Sequence, residues 1–126
     1  MINIRVVKVL LLLSIVFVPF SSQAKAPSKY LFEKALQESK DGDFIQAEKD
    51  WSFYLNDNPD DPAALSNRGN IRLALGDPQG AIKDQTNAIE ISPEDLDPYL
   101  NRGIAEEALK RWEDARNDYN YVLKNN

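Results

Sequence analysis

Residues 64–81 read ALSNRGNIRLALGDPQGA, and part of this pattern recurs further along the chain. The tripeptide Asn67-Arg68-Gly69 returns 34 residues later as Asn101-Arg102-Gly103. The same spacing relates Ala47 to Ala81 and Ala115, and Pro59 to Pro93. A fixed period of this length indicates a repeated structural unit.

Each unit is predicted to be a pair of packed helices. The first helix carries a small residue at its middle, which is Ala35, Gly69 or Gly103, because a larger side chain would hold the second helix away. Ala47, Ala81 and Ala115 serve the same contact from the second helix. Glycine and proline mark the turns at Asp41-Gly42-Asp43 and Gly76-Asp77-Pro78.

The period, the small residues and the closing proline together resemble the tetratricopeptide repeat (TPR) family. The resemblance covers residues 28–126, as repeats 28–61, 62–95 and 96–126. It implies an all-α helix-turn-helix solenoid, a right-handed superhelix of about six helices that follows an N-terminal signal helix. It also implies a concave groove, lined by the first helices, that holds extended peptides or a partner's helix.

The seams between repeats are more polar than the family pattern. Lys34, Arg68 and Arg102 precede the small residues, and Glu38, Arg72 and Glu106 stand where the pattern has an aromatic residue. We expect the arginine stems to cover apolar surface while their charged heads reach water. We also expect Arg72 and Glu106 to pair across the interface.

The composition excludes several functions. The chain has no His and no Cys, so it lacks imidazole bases, thiolate nucleophiles and the usual zinc ligands. Its 15 cations and 20 anions give a net charge of −5, which argues against nucleic acid as a partner. We predict that the protein is not an enzyme and that it binds no cofactor, metal or small-molecule substrate. Adjacent carboxylates such as Glu106 and Glu107 are more simply explained as part of a solvated helix face than as a catalytic pair.

Residues 1–24 have the profile of a secretory signal peptide. Arg5 and Lys8 precede a short apolar core that Pro19 ends, and Ser22-Gln23-Ala24 suits signal peptidase cleavage. A short linker, residues 25–27, would then lead into the repeats. We expect export to a periplasm or an equivalent compartment such as the thylakoid lumen. The alternative is an uncleaved segment that anchors the chain to a membrane.

The candidate binding residues are those that the resemblance places in the groove. Asparagine amides, which donate and accept hydrogen bonds, suit the backbone of an extended peptide. Apolar side chains flank them and suit apolar ligand side chains. The predicted peptide-binding residues are Phe32, Leu36, Ser66, Asn67, Asn70, Leu100, Asn101 and Ile104.

One specialised form of the groove is not expected. The carboxylate clamp of chaperone adaptors, as the resemblance implies it, uses two Lys, two Asn and one Arg. Only Asn67 matches, because the other four positions hold Phe32, Leu36, Asp97 and Asn101. The leading hypothesis is therefore an exported scaffold or assembly factor that binds another kind of peptide or helix.

Two further interpretations stay open. The repeats could bind copies of themselves through the third repeat, because no polar closing helix follows residue 123. The chain could also be a truncated piece of a longer TPR array.

Overall fold

The computed structural model describes residues 25–126, and the predicted signal peptide lies outside them. Six helices fill this range, and no strand occurs within it. They are α1 (Ser28–Asp41), α2 (Phe44–Asp57), α3 (Pro62–Ala74), α4 (Pro78–Ile91), α5 (Asp97–Ala108) and α6 (Trp112–Asn125). None of these six is both long and apolar enough to span a bilayer.

The helices stack in chain order. Each helix packs on the next one, and the first helices of successive repeats also touch, α1 against α3 and α3 against α5. The molecule is thus a layered solenoid of helix pairs, which confirms the predicted fold class.

Aspartate and glycine set several of the helix ends as their chemistry predicts. The carboxylates of Asp43, Asp61 and Asp77 each accept a hydrogen bond from a backbone N–H in the first turn of α2, α3 and α4. Gly42 and Gly76 have positive φ angles of 80° and 83° after α1 and α3. The equivalent residue after α5 is Lys110, which has φ 59° without being glycine.

The small residues mark the closest helix contacts. A Cβ atom added to Gly69 would lie 2.8 Å from the Gln85 side chain, and one added to Gly103 would lie 2.5 Å from the Tyr119 ring. Both distances are too short for real atoms, so these helices approach as closely as glycine allows.

The apolar core lies in the first repeat and at its junction with the second. Trp51 is fully buried, and Phe32 meets its ring edge to face at 4.9 Å. Tyr54 joins them, donates a hydrogen bond of 2.7 Å to Asp61, and so connects α2 to the start of α3. Burial, together with this contact, raises the pKa of Tyr54 to about 12.

In each repeat, an ion pair at equivalent positions joins the two helices, and we name this pair the clasp. The guanidinium of Arg68 in α3 donates two bonds of 2.8 Å to Asp84 in α4, whose side chain is 1% exposed. In the third repeat, Arg102 of α5 donates two hydrogen bonds, of 2.9 and 2.8 Å, to the carboxylate of Asp118 in α6. The first repeat pairs Lys34 with Asp50 at the equivalent positions. Since all three pairs span 16 residues, the clasp is part of the repeat.

The clasp corrects two expectations about the seams. The arginine heads do not simply reach water, because a buried aspartate holds each of them. Arg72 does not pair with Glu106. It bonds instead to Glu48 of the previous repeat and Asp84 of its own, while Glu106 pairs with Arg111.

The contact between Gly103 and Tyr119 can be tested by substituting Gly103 with and without the Tyr119 ring, because the effect on stability should have opposite signs in the two cases. Gly103→Ala should lower the free energy of unfolding by about 1–3 kcal/mol, because the Tyr119 ring must move. In a Tyr119→Ala background the same substitution should raise it by about 1 kcal/mol, since alanine is the better helix former. Urea unfolding measures both effects. Stabilisation in both backgrounds would show that the ring imposes no constraint.

Candidate functional site

A polar cavity opens between α3 and α5. It has a volume of about 400 Å³, and its lining comes from α3, α5 and the loop that joins α4 to α5. The lining residues are Ala63, Ser66, Asn67, Asn70, Asp95, Asp97 and Asn101. The α3 members recur at the three- and four-residue spacing of one helix face, so the helix presents them together.

Two asparagine amides in this cavity are available to a ligand. Within residues 25–126, the side chains of Asn67 and Asn101 make no hydrogen bond to other protein groups. Both are half-buried and belong to adjacent repeats. They can therefore donate to and accept from a peptide backbone that crosses from one repeat to the next.

Asn70 has a different role. Its Oδ1 accepts a hydrogen bond of 2.9 Å from Nε2 of Gln85, which also donates to the carbonyl of Ser66 at 3.0 Å. Gln85 is buried beneath α3, so these bonds fix the floor of the cavity. Asn70 and Ser66 both line this cavity, and the Asn70 side chain is partly engaged by the protein.

The cavity lining is acidic. Asp95 and Asp97 contribute two carboxylates, and no lining residue is a cation. Asp95 lies in the loop, where its Oδ1 accepts a hydrogen bond of 3.1 Å from the backbone N–H of Asp97. The cavity thus favours a ligand that is positively charged at this point, because a carboxylate would meet like charge.

The four apolar residues predicted for the groove do not line this cavity. Phe32 and Leu36 do not line the cavity and pack against the core of the first repeat instead. The ring of Phe32 packs edge to face against the rings of Trp51 and Tyr54. Leu100 and Ile104 are each 43% exposed on α5, next to Asn101 in the sequence but outside the cavity lining.

A second cavity of about 360 Å³ lies beside the clasp of the third repeat. Its lining includes Arg102 and Asp118, which bond to each other, together with Thr86, which accepts a hydrogen bond from Arg102. Its other lining residues are Glu106, Asp114 and Asn117. Arg102, Asp118 and Thr86 already bond to one another, so this second cavity offers fewer free polar groups to a ligand. We therefore take the cavity between α3 and α5 as the candidate site.

Neither Asp95 nor Asp97 is among the groove residues predicted from the sequence, in which Asp97 is a mismatch to the carboxylate clamp. The signal for Asp97 was its spacing of four residues from Asn101, which puts both on one helix face. Asp95 precedes the helix, so no helical spacing could have assigned it.

Comparison with known proteins supports the tetratricopeptide repeat resemblance. The chain is 41% identical over 69 residues to sperm-associated antigen 1A of Danio rerio, a match that covers 54% of this chain and 16% of that protein. It is 31% identical over 85 residues to a FAM10 family protein of Arabidopsis thaliana, which covers 68% of this chain and 19% of that protein. The chain therefore spans less than a fifth of these relatives.

A solved structure gives the same result for the fold. The first TPR of Spaghetti (RPAP3), bound to the HSP90 peptide SRMEEVD, superposes with a TM-score of 0.74 at 27% identity, covering 77% of each chain. No protein-family model matches the chain. Of these proteins, the TPR domain of Spaghetti (RPAP3) is seen with a bound peptide.

Proposed function

We propose that the cavity between α3 and α5 binds an extended segment of a partner protein. The observation that carries this proposal is the pair of unengaged amides, Asn67 and Asn101, which face one cavity from adjacent repeats. An extended segment has unpaired backbone N–H and C=O groups, and the two amides can satisfy both kinds. The protein would act as a scaffold or assembly factor, without catalysis.

The preferred ligand would carry a Lys or Arg side chain. Asp95 and Asp97 would receive this cation at the cavity edge, where it meets two carboxylates. This preference is opposite to that expected for the acidic peptide SRMEEVD bound by the similar TPR domain. Proteins that share this fold would thus select their ligands through a few groove residues.

We also propose that the chain is exported by residues 1–24 and acts in a periplasm or equivalent lumen. The cationic start, the short apolar core and Ser22-Gln23-Ala24 support this. N-terminal sequencing of protein recovered from its native host should begin at Lys25. Intact Met1 in the membrane fraction would contradict cleavage and favour the anchored alternative.

Panning the full chain against a random peptide display library tests the groove. We expect the selected peptides to be enriched in Lys and Arg, and Asp95→Asn with Asp97→Asn should abolish this enrichment. Asn67→Ala with Asn101→Ala should weaken binding of a selected peptide at least about tenfold, because two backbone groups lose their partners.

The control uses the second cavity, where Asp114→Asn with Asn117→Ala removes one exposed acid and one exposed amide. This control should leave binding unchanged. Helical circular dichroism checks that every variant is folded. Selection of acidic peptides, or equal binding by the Asn67 and Asn101 variant, would contradict the proposed site.

A further inference from the structure

The outer face of α6 is uncovered at a position that the earlier repeats bury. Leu55, Ile89 and Leu123 are equivalent residues, each 34 positions from the next. Leu55 in α2 is 6% exposed where α3 packs on it, whereas Leu123 in α6 is 77% exposed. At this position, therefore, the surface of α2 that α3 covers has an apolar counterpart on α6 that none of residues 25–126 covers.

The internal junction shows which polar contacts accompany this packing. Where α3 covers α2, Arg72 bonds to Glu48 at 3.0 and 3.2 Å, and Arg68 donates to Ser52 Oγ at 3.2 Å. The residues of α6 equivalent to Glu48 and Ser52 are Arg116 and Asn120. Both are exposed, so α6 offers a cation and an amide to whatever covers it.

Helix α1 carries the matching groups on its own outward face. Its residues equivalent to Arg68 and Arg72 are Lys34 and Glu38. In the register of the internal junction, Glu38 would thus face Arg116, which repeats the Arg72–Glu48 pair with the two charges exchanged. Tyr30, at the position of the buried Ala64, is 57% exposed and adds apolar surface to this face.

Glu38 also lacks a full set of partners. It contacts Lys34 at 3.0 Å, but Lys34 also serves Asp50, and Oε2 of Glu38 is buried without a hydrogen-bond partner. Burial, with Asp50 close by, raises the pKa of the Glu38 carboxyl above its ordinary value. Glu38 and Asp50 therefore share the single cation Lys34, and a second cation beside Glu38, such as Arg116 of another copy, would balance the extra negative charge.

We propose that a second copy of this chain packs its α1 on α6, with Glu38 of one copy paired to Arg116 of the other. The contact joins two different faces, so it continues the solenoid head to tail and can add further copies. It leaves the cavity between α3 and α5 open. The assembly and the proposed peptide binding therefore succeed or fail independently.

Cross-linking tests the pairing of faces, since the chain has no natural cysteine. Two full-length chains with different tags, one with Gln37→Cys on α1 and one with Asn120→Cys on α6, are coexpressed and treated with a short bismaleimide. The mixed product should exceed both products that link like chains. A symmetric dimer would instead enrich a like-chain product and would overturn the proposal.

Exchanging the charges tests the ion pair in the same assay. Arg116→Glu should lower the mixed product about tenfold, because two carboxylates then meet. Adding Glu38→Arg should restore it, since the two substitutions together recreate the charges of Arg72 and Glu48. The control is Lys124→Glu, the same charge change at a position that is exposed in all three repeats, and it should have no effect.

Circular dichroism shows whether each variant remains folded, and Arg116 and Lys124 are both exposed. Absence of a mixed product from folded chains, or a mixed product indifferent to Arg116→Glu, would overturn the proposal. Covering of α6 by a different protein would appear as absence of the mixed product.

Discussion

The rest of the structure depends on the clasp, the ion pair that joins the two helices of a repeat. In the second repeat, Arg68 holds Asp84 with two bonds, and Asp84 is almost fully buried. A buried carboxylate without its cation is strongly destabilising, so the two helices are stable only in the arrangement that preserves this contact. The guanidinium also reaches Ser52 of the previous repeat, which ties the orientation of α3 to α2.

The clasp also positions the candidate site. Successive residues of a helix point about 100° apart, so turning Arg68 toward α4 turns Asn67 away from it. The same relation holds between Arg102 and Asn101. The repeated Asn-Arg-Gly tripeptide thus has three separate roles: the asparagine lines the cavity, the arginine forms the clasp, and the glycine allows the second helix to approach.

Much of this fold could be predicted from the sequence because its signals are local or periodic. Gly69 and Gly103, the capping aspartates and the alanines all have roles that spacing reveals. The clasp was missed, although Lys34, Arg68 and Arg102 each precede an aspartate by 16 residues. Phe32 was assigned to the groove from its position in the repeat, and that position alone does not show that its ring packs against Trp51 and Tyr54.

A double-mutant cycle on Arg102 and Asp118 tests most directly whether the clasp holds each repeat together. Arg102→Met and Asp118→Leu should each lower the free energy of unfolding by about 2–3 kcal/mol, because each leaves an unpaired charge. The double variant should lose much less than the sum, with a coupling energy of about 2 kcal/mol in urea unfolding. Losses that add to within about 0.5 kcal/mol would show that the pair is incidental to the fold.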